Sequence, residues 1–544
     1  MRRVGGRNRG EVTVLEMMSP SSSGTGMHHF DDDDSPQPSR DGELTVEEVI
    51  SLHVGEIGKA QMWHFLLSSV AWVPAVFMTL MSVFTERDPA WRCVAPDGCE
   101  DRAFCSLNDK DWEWVSKSAS IRSEWNLVCG DAWKVSSADS MFFAGFFFGA
   151  GLIGQLADVR GRKPAMYLSL VIGGLGSVIS AAVSSFWPYF WSKSIIGFGC
   201  GGIGVASFVL SIEPLGAKWR SRLGIATQYW WASGIVLMSC VAMGITEWRA
   251  YTIFVVVSVA LYCVVSAPLL KESPKWLLIA GKSDKALEVL TALAKGNGQD
   301  IPLQGLPRLK RPTTSSASSK MSIAAVLPYP ALRIRLFAMA FVFFVNSAVY
   351  YGLSLNVGSL GGSIYLNNIL SALVEMVSYA FAQVSVEKVG RKHTLMFLLT
   401  VAGFGCLVSG FSTGGAQTAV ALVGRFGIAA SFNMIFLYTT ELFPTVVRSA
   451  ALGTCSLVAR LGGIIAPQII LLQTVSPSLP FIVFAGASAA ACFATTFLAE
   501  TKGVIMQDTL EGAARQAQAT SSSNFYQLSA EDFEEDEETL TNRD

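Results

Sequence analysis

The sequence predicts an all-α membrane protein. It has twelve transmembrane helices in two six-helix repeats, with an extracellular loop domain between helices 1 and 2. Three observations carry this. The 544 residues are 51% hydrophobic and only 15% charged, with mean hydropathy +0.40. Charged residues make up about 25% of a typical soluble domain. Apolar runs long enough to cross roughly 30 Å of hydrocarbon recur along the chain. The chain also repeats itself: motifs of its first half recur in the second at a nearly constant spacing.

Residues 1–59 read as a cytoplasmic tail, largely disordered, with the acidic run DDDD at 31–34. The first 45 residues contain no apolar h-region of a cleavable signal, so the first span itself directs insertion. The N-terminal half, 60–270, holds spans at 60–84, 134–157, 165–185, 187–210, 220–246 and 249–270. A polar connector, 271–332, follows. The C-terminal half, 333–498, holds spans at 333–355, 360–386, 393–412, 415–439, 449–472 and 478–498. The tail 499–544 is acidic, and from about residue 504, ending in EDFEEDEE at 531–538, it reads as disordered. In the connector, SDKALEVLTALAK reads as an amphipathic helix with Ser283 as N-cap and Gly296 as its stop.

Lys and Arg set the orientation. Arg160, Arg162 and Lys163 follow the second span, Lys218, Arg220 and Arg222 the fourth, and Lys388, Arg391 and Lys392 the eighth. Short loops on the other side, near 185, 357, 413 and 475, hold none. Both termini and the connector are therefore placed in the cytoplasm. The outer loop 85–133 carries six basic and ten acidic residues. It also carries Cys93, Cys99, Cys105 and Cys129, which suggest two disulfides in one of three pairings, with a zinc site as the alternative. The other six cysteines lie in apolar spans and read as packing residues. A net charge of −2 implies no bulk attraction to nucleic acid.

The repeat is specific. GRK occurs at 161–163 and 390–392; Glu213 recurs as Glu441, Arg220-Ser221 as Arg448-Ser449, and Glu272 as Glu500. This is a duplicated six-span unit, the architecture of transporters with a midplane cavity between parallel repeats. At the cytoplasmic side, Gly161 permits a tight turn, and Asp158 is expected to accept from a neighbouring helix N-terminus. Arg162 is expected to pair with Glu213, which shares a face with Arg220. Glu387, Arg391, Glu441 and Arg448 form the second copy. These contacts would latch the cytoplasmic ends while the outer side is open and break when it closes. The alternative is that they only anchor loops.

GQLADVRGRK at 154–163 resembles the signature of the major facilitator superfamily. That family usually has Arg where this chain has Val159, and Arg160 is the candidate substitute. EWNLVC at 124–129, ESPKWLL at 272–278, GRFGIAASFN with ELFPTVVRS in 424–449, and ETKG at 500–503 together resemble solute carrier family 22. That family comprises organic cation, organic anion and carnitine transporters. GLSLN at 352–356 and LSALVE at 370–375 look most like its organic cation/carnitine branch. The resemblance implies Asp at the Arg460 position in cation transporters and Arg there in anion and carnitine transporters. It implies a basic residue where this chain has Glu375 in the anion branch.

The residues support the same reading independently. An ionisable side chain deep in a span costs about 2.5–3.5 kcal/mol on insertion scales unless it meets water or a partner. Arg460, Glu375, Lys193 and Asp139 are the candidates seen in the spans. Arg460 lies near mid-membrane beside Gly462 and Gly463, which let a helix or a ligand approach. A guanidinium forks onto a carboxylate. Glu375 would attract a cationic group, and Tyr350, Tyr229, Trp230 and Trp231 offer aromatic faces to quaternary ammonium. Gln228 could hydrogen-bond a polar ligand. Alternatively, Arg460 and Glu375 form a permanent bridge, or Glu375 couples protons. Lys193 is expected to snorkel toward the outer surface.

The expected function is transport of small organic ions, most of all carnitine- or betaine-like zwitterions or cations, by alternating access. A coupling sodium or proton is expected, in a multi-pass protein of the plasma membrane. Alternatives are an organic anion transporter, a sugar porter and a non-transporting receptor. Against the sugar porter, FFVNSAVYYGLSLN at 343–356 lacks paired glutamines. No phosphate loop, metal-ligand pair or nucleophile elbow appears, so neither an enzyme nor a cofactor or metal is expected.

Overall fold

The computed structural model describes residues 44–94, 104–107, 110–299, 323–504 and 507–515. These belong to one compact unit, Glu43–Asp544. Eleven helical stretches are long and apolar enough to cross a membrane, and Leu479–Thr495, 17 residues long, is a shorter apolar helix.

The chain enters through α1 (Val46–Val49), a short helix closed by a capping box between Thr45 and Glu48. The first span, Lys59–Thr85, is broken into α2 (Lys59–Ser69), α3 (Trp72–Leu80) and α4 (Ser82–Thr85). Its first break falls just before Pro74, which has no N–H to continue the ladder. Outside lie the antiparallel strands β1 (Trp91–Cys93) and β2 (Trp112–Trp114) and the short helix α5 (Ile121–Glu124). Phe104 packs its ring against Trp91, Trp112 and Trp114, giving the loop a small aromatic core. Cys105 and Cys129 are disulfide-bonded and Cys93 is also in a disulfide; Cys99 lies outside the described residues.

The first half continues with α6 (Ala132–Arg160), α7 (Arg162–Ala182), α8 (Phe186–Ile212), α9 (Ala217–Gly244) and α10 (Trp248–Ser266). α11 (Pro274–Ile279) and α12 (Ser283–Gly296) form the connector. The second half comprises α13 (Pro330–Leu355), α14 (Ile364–Lys388), α15 (Arg391–Phe411), α16 (Gly414–Leu442), α17 (Arg448–Leu471) and α18 (Leu479–Thr495). The repeat is visible in the helix bounds: α7 and α15 both begin on the Arg of a GRK motif, and both are 21 residues long.

Three expectations about the end segments and the connector change. Residues 44–59 are not a disordered tail: Val46, Val49, Ile50 and Val54 bury against Trp276, Leu290 and Leu293 of the connector. Asn297 fastens them, donating to the Val54 carbonyl at 2.9 Å and accepting from the Ala60 N–H at 2.9 Å. Likewise the C-terminal segment begins ordered, with Leu510 and Ala513 buried and Glu511 accepting from the Tyr329 hydroxyl at 2.8 Å. Ser283 is the first residue of α12 and forms no cap; Lys282 precedes it.

Within the first half, α6 and α8 touch through glycine. A Cβ on Gly145, Gly149, Gly197 or Gly201 would overlap backbone of the facing helix. The halves meet along α6–α17 and α9–α14.

Candidate substrate site and gates

Glu375 sits in mid-α14 and is fully buried. Arg425 of α16 donates Nη2 to its Oε2 at 2.6 Å. The hydroxyls of Tyr350 (α13, 2.7 Å) and Tyr379 (α14) both donate to Oε1. Arg425 also donates to the Tyr350 carbonyl at 2.9 Å and to Ser354, and lies 4.0 Å from the Tyr350 ring centroid. Across the half boundary, Trp231 Nε1 donates to the Tyr350 hydroxyl at 2.6 Å, and Tyr229 stands edge-on to Tyr379 at 5.7 Å.

So Glu375, Tyr350, Trp231 and Tyr229 come together, but around a charge that is already met. A carboxylate out of water needs a paired cation and filled lone pairs. Arg425 and two hydroxyls supply both. The expectation that Glu375 is free for a cationic ligand is corrected, and so is its bridge with Arg460.

Arg460 has no such partner. Its guanidinium lies over the Phe146 ring of α6, 4.5 Å from the centroid. It makes no ion pair or hydrogen bond among the described residues, and its Nε is buried without an acceptor. Gly462 and Gly463 serve helix packing, the first against the Phe344 carbonyl of α13 and the second against the Phe143 ring of α6. Phe143 meets Tyr351 at 4.5 Å, and Tyr351 meets Tyr350 at 5.3 Å. An aromatic run therefore separates Arg460 from the Glu375 network. Gln228 and Trp230 are half-buried on α9 and do not join that network.

The bonds that join the halves lie in the middle and outer parts of the molecule. Besides Trp231–Tyr350, Ser140 of α6 donates to the Ile464 carbonyl at 2.7 Å and accepts from Gln468 at 2.9 Å. Asn368 donates to Ser239 at 2.9 Å, and Arg87 to the Tyr365 hydroxyl at 2.5 Å. At that end the two halves are bonded to each other.

The cytoplasmic charges behave differently from the expectation. Arg162 pairs with Asp158 at 3.2 Å and reaches Glu213 at 3.7 Å; Arg391 grips Glu441 with two bonds of 2.8 Å. Both pairs stay within one half. Asp158 is 70% exposed and caps no neighbouring helix. Glu272 does that instead: its carboxylate accepts from the Arg162 and Lys163 N–H groups that open α7. Glu500 does the same for Arg391 and Lys392 at α15. The anion meets the positive end of the helix. Gly161 and Gly390, both at φ 111°, make the two turns, and a Cβ on either would collide with these carboxylates. Arg220 turns to Glu47 of the N-terminal segment at 3.1 Å. Arg448 donates to Thr445 at 3.4 Å. Arg160 and Glu387 are exposed and form no ion pair among the described residues.

Lys193 does not snorkel. It is 1% exposed and sits among Glu86 (2.7 Å), Ser82 (2.6 Å) and Asp139 (3.3 Å). Sequence reasoning misses Arg425 and Glu86. Arg425 lies in GRFGIAASFN and is flagged by the rule that singles out Arg460, a charge inside an apolar span. A first span ending at residue 84 leaves Glu86 in the outer loop, where an acid attracts no notice.

The model of the family described as sugar (and other) transporter matches residues 116–511. Organic cation/carnitine transporter 4 of Arabidopsis thaliana is 35% identical over 482 residues, covering 86% of this chain and 91% of its own. Solute carrier family 22 member 15-like of Xenopus laevis is 35% identical over 473 residues, covering 85% and 94%. Among solved structures, the xylose transporter XylE from E. coli in a partially occluded inward open conformation superposes with a TM-score of 0.58. That alignment is 16% identical over 82% of this chain and 99% of that one.

Proposed function

We propose, from the premise that this chain belongs to the sugar (and other) transporter family and within it to solute carrier family 22, that it carries small organic ions bearing a carboxylate, most of all carnitine- or betaine-like zwitterions. It is a multi-pass membrane transporter and not an enzyme. One observation carries the substrate reading: Arg460 is a buried cation between the halves with no hydrogen-bond or ion-pair partner among the described residues, whereas Glu375 is neutralised by Arg425. Arg460 then holds the substrate carboxylate by its planar fork. The ammonium end faces aromatic rings, with the edge-on Tyr229 and Tyr379 as candidates. The plasma membrane is the proposed location, with a sodium or proton gradient as the driving force.

Transport alternates by tilting of the two halves against each other along the α6–α17 and α9–α14 seams. The outer contacts of Ser140, Gln468, Ser239 and Asn368 close one side. The helix caps by Glu272 and Glu500 keep each half intact while it tilts.

The test is uptake into proteoliposomes of labelled carnitine, a simple quaternary amine and an aromatic carboxylate, with and without sodium and proton gradients. Arg460→Ala should lower kcat/KM for carnitine about 10–100-fold, the loss of charge-assisted bonds, and leave the quaternary amine little changed. Undiminished carnitine and carboxylate uptake by a correctly inserted variant overturns the reading.

A further inference from the structure

Near the outer end of the first half lies a second buried charge cluster that the substrate reading does not use. Glu86 follows the first span at the C-cap of α4. Asp139 lies on α6, and Lys193 and Tyr189 on α8. Lys193 Nζ contacts Glu86 Oε1 at 2.7 Å, Ser82 Oγ at 2.6 Å and Asp139 Oδ1 at 3.3 Å. Tyr189 donates to Glu86 Oε1 at 2.8 Å, and Ser82 to Asp139 Oδ1 at 2.6 Å. Two carboxylates share one ammonium, so the ionised cluster carries one net negative charge.

One carboxylate oxygen of the cluster is both buried and without a donor among the described residues. The Glu86 side chain is 4% exposed, and its Oε2 has no hydrogen-bond partner among the described residues. Glu86, Asp139 and Ser82 line a cavity at the outer side, completed by Asn356 and Gln473 from the second half. The other charges around Glu86 are engaged elsewhere: Arg122 donates to the Glu86 backbone carbonyl and pairs with Asp88 at 3.1 Å, and Arg87 reaches across to Tyr365 and the Thr246 carbonyl.

We propose that Glu86 is a proton-binding site of the outer face, and that one proton taken from the outside onto Oε2 favours closure of the outer gate. The proton forms an O–H on the carboxyl group and takes the cluster from −1 to neutral, which lowers the cost of burying it. A metal cation fits less well, because Lys193 already occupies the position between the oxygens and would have to be expelled. A proton needs no room.

Burial, with Asp139 beside it, pushes the Glu86 carboxyl up to about 7 in this closed form. With the outer side open and hydrated, an ordinary value of about 4.3 applies. Between those values the closed form binds the extra proton. Closure is therefore favoured as outside pH falls through about 7, and the open-to-closed ratio drops about tenfold per pH unit within the window.

The experiment uses the full chain in proteoliposomes with Asn356→Cys as a reporter, since Asn356 lines the cavity and is buried in this closed form. Labelling by an impermeant maleimide is followed against outside pH. Background from the native cysteines is subtracted. Each rate is divided by that of the same reporter in Glu86→Gln, which cancels the ionisation of the thiol itself. The ratio should fall about tenfold per pH unit below about 7 and then level. A flat ratio overturns the proposal, as does pH dependence abolished by Asp139→Asn but not by Glu86→Gln. If Glu86→Gln fails to insert, the wild-type infrared spectrum decides. A protonated-carboxyl band should grow as pH falls from about 8 to about 6, above the range of ordinary carboxylates; no band in that interval overturns it. Neither readout uses a substrate, so failure here is separate from failure of the Arg460 reading.

Discussion

Each half buries one basic side chain on its fourth span, Lys193 on α8 and Arg425 on α16, and the two are settled differently. Arg425 faces a single carboxylate whose oxygens are filled by the guanidinium and two hydroxyls. Lys193 faces two carboxylates and leaves Glu86 Oε2 without a donor among the described residues. The same span thus yields a matched pair in one half and a spare acceptor in the other. Duplication preserved the helices and left each half free to use its charge for a separate purpose.

The largest effect should come from breaking the matched pair. Arg425→Met strands Glu375 in the core and should cost about 3–5 kcal/mol, seen as a large fall in Tm of the detergent-solubilised protein. Arg425→Met with Glu375→Gln should recover much of it. Lys193→Met should cost less, because Glu86 can accept a proton from the outer cavity. Equal losses for the lysine and arginine variants would erase the contrast.

The gates give a smaller test. Arg391 holds Glu441 through two bonds of 2.8 Å, whereas Arg162 approaches Glu213 only to 3.7 Å. Glu441→Ala should cost about 1.5–3 kcal/mol and Glu213→Ala about 0–1 kcal/mol, read as Tm shifts. The reverse order would show that the second latch is the weaker.

The smallest effect separates the helix caps. Burial pushes the Glu272 carboxyl up and outweighs the backbone donors around it. Burial acts on Glu500 too, but the N–H groups of Arg391, Lys502, Thr501 and Lys392 hold it below the usual range. A lowered acid loses stabilisation as pH falls from its ordinary value through its folded one; a raised acid gains it as pH falls through its folded value toward the ordinary one. Acidification should therefore reduce hydrogen-exchange protection at the start of α15 relative to the start of α7, after correction for intrinsic rates. Parallel change at both sites would remove the distinction.

The spans and the repeat were legible because each is written in one dimension: hydropathy and spacing. The pairing of Arg391 with Glu441, as of Arg162 with Glu213, followed from the offset. Pairing elsewhere was not legible. Nothing in GRFGIAASFN says that Arg425 crosses to Glu375, and the nearest-looking partner by role, Arg460, lies across an aromatic run. Asp158 and Glu272 are both acids near the same turn; only their placement in three dimensions decides which one meets the α7 amides. Residues 44–59 read as disordered because their few apolar side chains find their cover in the connector, far along the chain and beyond six spans.

The glycine contact between α6 and α8 has a mechanical consequence. With backbone against backbone at Gly145, Gly149, Gly197 and Gly201, the two helices cannot slide without first parting. They form a stiff lever running from the outer cavity to the Gly161 turn. Phe146, the shelf under Arg460, is carried on that lever near its middle. Any ligand that draws Arg460 off Phe146 therefore pushes on the whole arm at once, and a local displacement at the shelf is delivered to both faces of the membrane.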